Sequence, residues 1–327
     1  MNVLVTGGTG YLGRAVVRAL HGAGHTVVLY GRSSSQVAAG TAVPVTPVDG
    51  DVRDARRLAE AARGCDGIVH MAALVAVWRQ DPREFDAVNV LGLRNVLDAA
   101  RTAGITRIVH TSSFLALTPG GLVRPPAWND YQRTKAAADR VAAAAIDAGA
   151  PVVRLYPGVV YGPGVMTEGN LVGRQIADHL AGRLHGIVGA ARTWSFSFID
   201  DVAAAHVAAV ERGRAGPRYL LGGVNAPQLR PFEIVRELTG HPLPRRLPAW
   251  AIAVAAAGDE LRAAWIGGAP LVTTGTLEIL LRDWPLESSL AQEELGYRVT
   301  PLDDGVRAII DELGHRPASP GPRGEST

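Results

Sequence analysis

The sequence predicts an α/β protein: a doubly wound parallel sheet followed by a smaller C-terminal substrate-binding region. Three observations carry this reading. Short β-branched and apolar runs alternate with amphipathic helical stretches up to about residue 160. A glycine-rich turn, Gly7 to Gly13, sits between the first run and the first helical stretch. Beyond residue 160 the alternation loses its regularity. The domain reading is residues 1–160 as the sheet domain and 161–313 as a smaller region over the sheet's ligand edge, able to exchange elements with the first. Residues 314–327, rich in Pro, Gly and Ser, read as a disordered tail.

Taken in order, Asn2 to Thr6 reads as a buried strand and Arg14 to His21 as a helix. Glycines at 7, 10 and 13 lie between them. In that position they let backbone approach a pyrophosphate, with the helix N-terminus supplying N–H donors. Thr26 to Tyr30 is a second strand. A dinucleotide fold commonly ends this strand on a carboxylate that bonds a ribose hydroxyl. Here Gly31, Arg32 and Ser33 to Ser35 follow instead, which suits a 2′-phosphate. Val43 to Val48 is the third strand, ending toward Asp51 and Val52, and Asp54 N-caps a helix to Arg63. Gly67 to Met71 is the fourth strand, running into the small residues Ala72 and Ala73.

Pro82 to Ala103 reads as one long helix whose Asn89 and Gly92 are poor helix formers, so Asn89 is expected to hydrogen-bond internally. Thr106 to Thr111 is the fifth strand and delivers Thr111, Ser112 and Ser113 to the sheet's carboxyl edge, or uses them as caps. Thr118 to Pro126 is a loop, Trp128 to Ala148 a helix, and Pro151 to Leu155 the sixth strand. Tyr156, Pro157 and Gly158 read as a breaker-rich exit from the sheet. Further on, helices are expected over Asn170–Leu184, Asp201–Arg212, Phe232–Leu238, Ala249–Trp265 and Pro301–Leu313, with strands at Phe196–Ile199 and Arg218–Gly223.

Composition narrows the function classes. A net charge of +2 gives no broad attraction to nucleic acid or membrane, so the expected partner is a small molecule, with the chain as monomer or homodimer. The single cysteine, Cys65, fits a reducing compartment, and the opening strand shows no signal-peptide pattern, so a cytoplasmic location is expected. The nine histidines are scattered and no metal is expected.

Lys135 is the only lysine; all other basic residues are arginine. It stands four residues after Tyr131 in a helical stretch, so ammonium and phenol share a face. A compact cation beside a phenol suits proton transfer, because the charge favours the phenolate.

These residues together resemble the extended short-chain dehydrogenase/reductase superfamily, nearest the group of dihydroflavonol reductases, 3β-hydroxysteroid dehydrogenases and epimerase/dehydratase-like proteins. The resemblance spans residues 1 to 313. It implies an NADP-binding Rossmann domain, NADP(H) being preferred and NAD(H) possible. Thr6, Gly7, Gly10, Tyr11, Leu12 and Gly13 match the cofactor loop, and Arg32 and Ser33 resemble the NADP pattern. Asp51 and Val52 match the adenine pair and Pro157 the segment behind the nicotinamide; Ala72, Ala73, Thr111 and Tyr156 are also expected as cofactor contacts, the alanines equally as packing. Asn89, Ser113, Tyr131 and Lys135 match the catalytic tetrad. The 18 positions from Ser113 to Tyr131 make a shorter loop than in many relatives.

The expected activity is reduction of a ketone, or the reverse oxidation. Tyr131 is the proton donor, Lys135 lowers its pKa and holds ribose hydroxyls, and Ser113 holds the substrate oxygen. A nucleotide-sugar epimerase retaining its cofactor and a non-catalytic NADP sensor are the competing readings. Trp78 and Trp128 are expected to border the ligand edge and Trp194 precedes a small-domain strand. As aromatics facing a cleft, with Leu247 to Ala257 as part of a lid, they point to an apolar cyclic or aryl substrate, and packing between the two domains is the alternative role. Arg174, Arg183 and Arg192 are the candidates for a diphosphate instead.

Overall fold

A computed structural model describes residues 1–314 except 42, 121 and 123. The remainder of the C-terminal tail lies outside the described residues. The chain opens with β1 (Asn2–Thr6), α1 (Tyr11–Gly22), β2 (Thr26–Gly31), α2 (Ser34–Ala39), β3 (Thr46–Asp49), α3 (Ala55–Ala62) and β4 (Gly67–His70). Next come α4 (Arg83–Phe85), a π-helical turn over Asp86–Leu91, α5 (Gly92–Ala103), β5 (Ile108–Thr111), a 3₁₀ turn over Phe114–Ala116, α6 (Asp130–Asp147) and β6 (Val152–Pro157). The second half contains β7 (Val159–Tyr161), α7 (Leu171–Leu180), β8 (Thr193–Phe198), α8 (Ile199–Arg212), β9 (Arg218–Leu221) and β10 (Val224–Pro227). It closes with α9 (Arg230–Thr239), α10 (Ala249–Ile266), α11 (Thr274–Leu280), α12 (Ser289–Leu295) and α13 (Leu302–Glu312).

Strand alternation sets the layers. On β1, Val3 and Val5 join a core with α1 and α8, while Leu4 joins the opposite core with α3 and α5. The large sheet has seven strands in the order β3-β2-β1-β4-β5-β6-β9, and every pairing is parallel. The order reverses between β1 and β4, so a ligand crevice opens at their carboxyl ends. The seventh strand, β9, and the covering helix α8 come from beyond residue 160, an exchange of elements across that position. A second sheet, β10-β8-β7, anchors a separate core with α7, α9 and α13.

Three local expectations are corrected. The helix expected over 82–103 carries a π turn at Asp86–Leu91, centred on Asn89. The chain does not leave the sheet at Tyr156: β6 runs to Pro157, whose backbone pairs with Leu221. After Gly158 it enters the second sheet, and a Cβ on Gly158 would lie 2.5 Å from the Ser195 carbonyl oxygen. Trp194 is core rather than cleft lining: it is buried on the middle strand β8 and its indole N–H donates to the Arg282 carbonyl at 3.1 Å.

Candidate active site

The glycine turn is built by close packing. Gly7 has φ +76°, and a Cβ there would lie 2.5 Å from the Ala72 amide nitrogen. A Cβ on Gly13 would lie 2.1 Å from the Gly7 carbonyl oxygen. Both sites demand glycine. Gly10 is roomier, its nearest neighbour at 3.4 Å, and no side chain caps the α1 N-terminus. The first N–H groups of α1 therefore remain available to an anion, as a dinucleotide pyrophosphate requires. The cradle fits the cofactor class read from the sequence.

Thr6 reaches under this turn. Its hydroxyl lies 2.7 Å from Nδ1 of His70 and accepts from the Ala72 N–H at 3.4 Å. Beside it, a polar cavity of about 410 Å³ is lined by Thr9, Arg14, Ser33, Gln36, Val37 and Gly40. Of these, the sequence pattern marked Ser33 but neither Arg14 nor Gln36. Arg32 is exposed and lies outside this lining, turned so that its charge acts on Asp51. Hydrogen bonds from Arg53 hold the Asp51 carboxyl below the usual range, and Arg32 adds to the pull.

Other candidates offer backbone rather than side chains. The Tyr11 hydroxyl donates to the Gly162 carbonyl at 2.9 Å, so this ring joins the two halves of the chain. Leu12 packs at the margin of the core. Val52 is buried against Gly92, and its carbonyl accepts from Asn95 Nδ2 at 2.8 Å. Tyr156 faces α6 and donates to Asp139, away from the glycine turn. Ala72 and Ala73 continue past β4, where the Ala72 backbone abuts Gly7.

The proton-transfer candidates converge from three elements. β5 delivers Thr111, Ser112 and Ser113. Asn129 starts α6 by accepting from the Gln132 N–H at 2.8 Å, and this start sets Tyr131 and Lys135 one turn apart. Asn89 ties the frame: it accepts from the Leu74 N–H at 2.7 Å and donates to the Thr134 hydroxyl at 2.9 Å. The π turn places an asparagine where a regular helix would direct it elsewhere.

Ser113 serves twice. Its hydroxyl accepts from the Leu115 N–H at 3.2 Å, capping the 3₁₀ turn, and it also acts on the Tyr131 phenol. Burial pushes Tyr131 up to about 12, and Ser113 draws it back. The expected influence of Lys135 on this phenol is not the one found: the ammonium donates to the Thr111 carbonyl at 3.0 Å. Burial pulls Lys135 down to about 8, while Asp139, one turn further along α6, supports its charge. Asp139 in turn holds Tyr156, Arg154 at 3.5 Å and Arg218 at 3.3 Å.

A neutral histidine layer backs the site. His206 Nδ1–H donates to the Val202 carbonyl at 2.7 Å, which leaves Nε2 to accept from the Thr111 hydroxyl at 2.8 Å. Burial lowers His206 to about 4, and burial with Lys135 nearby lowers His70 to about 3. Lys135 is therefore the cation at the heart of the cluster. The sequence pattern marked Lys135 but not Asp139, although the i+4 spacing from the sole lysine was the available signal. His206 lies too far along the chain for any local pattern to join it to Thr111.

A parallel sheet with a glycine cradle at its switch point, and a Ser-Tyr-Lys cluster on its carboxyl edge, defines an NAD(P)-dependent oxidoreductase. Residues 3–222 match the model of the NAD dependent epimerase/dehydratase family, and the chain belongs to that family. It is similar to sterol demethylase protein B of Methylococcus capsulatus, 37% identical over 75% of this chain and 76% of that protein. It is also similar to a 4-hydroxy-2-methyl-3-oxo-4-farnesyl-3,4-dihydroquinoline-1-oxide ketoreductase of Stigmatella aurantiaca, 32% identical over 92% and 93% of the two chains. Among solved structures, a nucleoside-diphosphate-sugar epimerase from Pseudomonas aeruginosa superposes with TM-score 0.76 at 28% identity, covering 96% of this chain and 97% of that one. No helix among the described residues is long and apolar enough to cross a membrane.

Proposed function

We propose that this chain is an NADPH-dependent ketone reductase, reversible toward the secondary alcohol, acting on a largely apolar cyclic or aryl small molecule. The observation that carries the reading is the cavity after β2. Arg14, Ser33 and Gln36 line it, and no carboxylate does. Donors and a guanidinium suit a 2′-phosphate, whereas a ribose diol calls for an acceptor. A cofactor selected for that phosphate suits net reduction; an epimerase returns its hydride and has no such need. Two further points support the substrate class. Arg183 is paired with Asp178 at 2.7 Å and Arg192 with Asp283 at 3.3 Å, which leaves Arg174, with no side-chain partner among the described residues, as the one diphosphate candidate still open. The Stigmatella relative, matched over 92% of this chain at 32% identity, is a ketoreductase.

Bound nicotinamide supplies or accepts the hydride. The chain's own residues manage the proton. With its pKa pushed up to about 12, Tyr131 is protonated at neutral pH, the form a general acid needs for reduction. Ser113, which draws that phenol's pKa back down, is the hydroxyl to hold the carbonyl oxygen as it gains charge. Lys135 is one turn away to hold ribose hydroxyls, its ammonium anchored by donation to the Thr111 carbonyl.

The test is a titration of NADPH and NADH against the wild type, Arg14→Ala and Arg32→Ala. NADPH absorbance is then followed with steroid-like, flavonoid-like and polyketide ketones beside UDP- and dTDP-sugars. Tighter NADPH binding that Arg14→Ala weakens, with ketone reduced, supports the reading. Equal affinities, or a sugar nucleotide epimerised with no net NADPH change, overturn it.

A further inference from the structure

The helix α10 does not behave as the lid its composition suggests. Only Ala256 and Ala263 are buried along its length. Its large apolar side chains point outward: Trp250 is 74% exposed, Val254 69%, Leu261 62% and Trp265 83%. At about 100° per residue these four fall within roughly 60° of arc, a single stripe four turns long. Ile266, off this stripe at the end of the helix, and Leu271, just beyond it, are also exposed, at 81% and 94%.

The opposite side is firmly attached. Glu260 accepts from the Thr274 N–H at 2.9 Å, and Asp259 accepts from the Leu271 N–H and from Arg262, both at 2.7 Å. Next, α11 sits on the start of α6, where a Cβ on Gly275 would lie 1.8 Å from the Trp128 carbonyl oxygen. The helix bearing the stripe is thus tied to α11, which packs on the start of α6.

We infer that the outer face of α10 docks in the plane of an anionic lipid surface. Tryptophans at both ends of an apolar stripe match the preference of this ring for the boundary between headgroups and acyl chains. Just before the helix stand Arg245 and Arg246, both exposed, and neither side chain has a hydrogen bond or ion pair among the described residues. Lipid phosphates complement them. A second copy of the chain does so less well, because Asp259 and Glu260, the acids of the helix, are already committed within the chain. With Asp259, Glu260 and Arg262 along it, the helix lies on a bilayer rather than crossing it. The small net charge, from which no broad attraction to membrane was expected, does not bear on a local basic pair beside an apolar stripe. This inference is independent of the substrate reading, although it would bring the catalytic edge close to any ligand dissolved in lipid.

The test is co-sedimentation of the full chain with vesicles of phosphatidylcholine alone or mixed with phosphatidylglycerol. Wild type, the pair Trp250→Ala/Trp265→Ala and the pair Arg245→Gln/Arg246→Gln are compared. All the changes are on exposed side chains, and thermal melting and NADPH affinity confirm each fold. The wild type is expected to sediment with the mixed vesicles. The tryptophan pair should weaken this roughly tenfold or more, and the arginine pair should abolish the preference for anionic lipid. No sedimentation, or sedimentation indifferent to both pairs, overturns the inference. So does a dimer by sedimentation velocity that the tryptophan pair dissociates.

Discussion

Replacing Lys135 with methionine should stabilise the ligand-free protein while removing its activity. Lys135 is only 6% exposed, and burial lowers it from 10.5 to about 8. At about 1.4 kcal/mol per pKa unit, this is a cost of about 3 kcal/mol for keeping the ammonium charged at neutral pH. Loss of the hydrogen bond to the Thr111 carbonyl, 3.0 Å long, returns about 1 kcal/mol. Lys135→Met retains the aliphatic length and should therefore gain about 2 kcal/mol. For a chain of 327 residues this raises Tm by about 3 °C. The pH dependence is diagnostic. Between about 8 and 10.5 the unfolded chain binds a proton that the native chain does not, so wild-type stability rises with pH through this window. The advantage of the variant should be full below pH 8, shrink through the window and turn into a deficit of about 1 kcal/mol above 10.5, where only the lost hydrogen bond separates the two proteins. Thermal melts at several pH values, together with turnover, check both halves. A variant less stable than wild type at pH 7, or a difference flat across the window, would refute the reasoning.

Three further outcomes are expected. Gly13→Ala puts a Cβ 2.1 Å from the Gly7 carbonyl oxygen; overpacking of this kind costs about 1–3 kcal/mol, and cofactor affinity in a fluorescence titration should fall roughly tenfold or more. Asp139→Ala leaves buried Arg154 unpaired, so denaturant melts should show a loss of about 3–5 kcal/mol. The same change removes the support for the Lys135 charge, and the alkaline limb of the pH–rate profile should move to lower pH. Because Tyr131 holds its proton up to about 12, alcohol oxidation, which needs the phenolate, should climb from pH 7 to 10 while ketone reduction does not. An oxidation rate independent of pH would remove Tyr131 from the proton step.

What the sequence disclosed follows from how local the determinants are. The strand at Asn2–Thr6, the glycines after it and the Asn129-started helix are written in consecutive residues, and they stand where expected. The identity of Lys135 was visible because no other lysine competes with it. Its hydrogen bond was not, since the Thr111 carbonyl reaches it only through packing of α6 on β5. A π turn adds one residue without any compositional mark, so Asn89 was foreseen as internally bonded but not as seated in such a turn. The short strands β7 and β10 follow glycines and prolines that read locally as breakers, and only their pairing with β8 makes them strands. For α10 the apolar residues were plain, but which way they face depends on α11.

The central claim is that this site consumes NADPH to reduce a carbonyl, with Tyr131 delivering the proton. The most direct measurement uses NADPH deuterated at nicotinamide C4 with a turned-over ketone, comparing wild type with Tyr131→Phe. The account predicts one deuterium on the carbinol carbon for each NADPH oxidised. It also predicts that the variant loses turnover by about 10²–10⁴-fold with nearly unchanged cofactor affinity. Product formed without net oxidation of NADPH, or a loss below about tenfold in Tyr131→Phe, would contradict it.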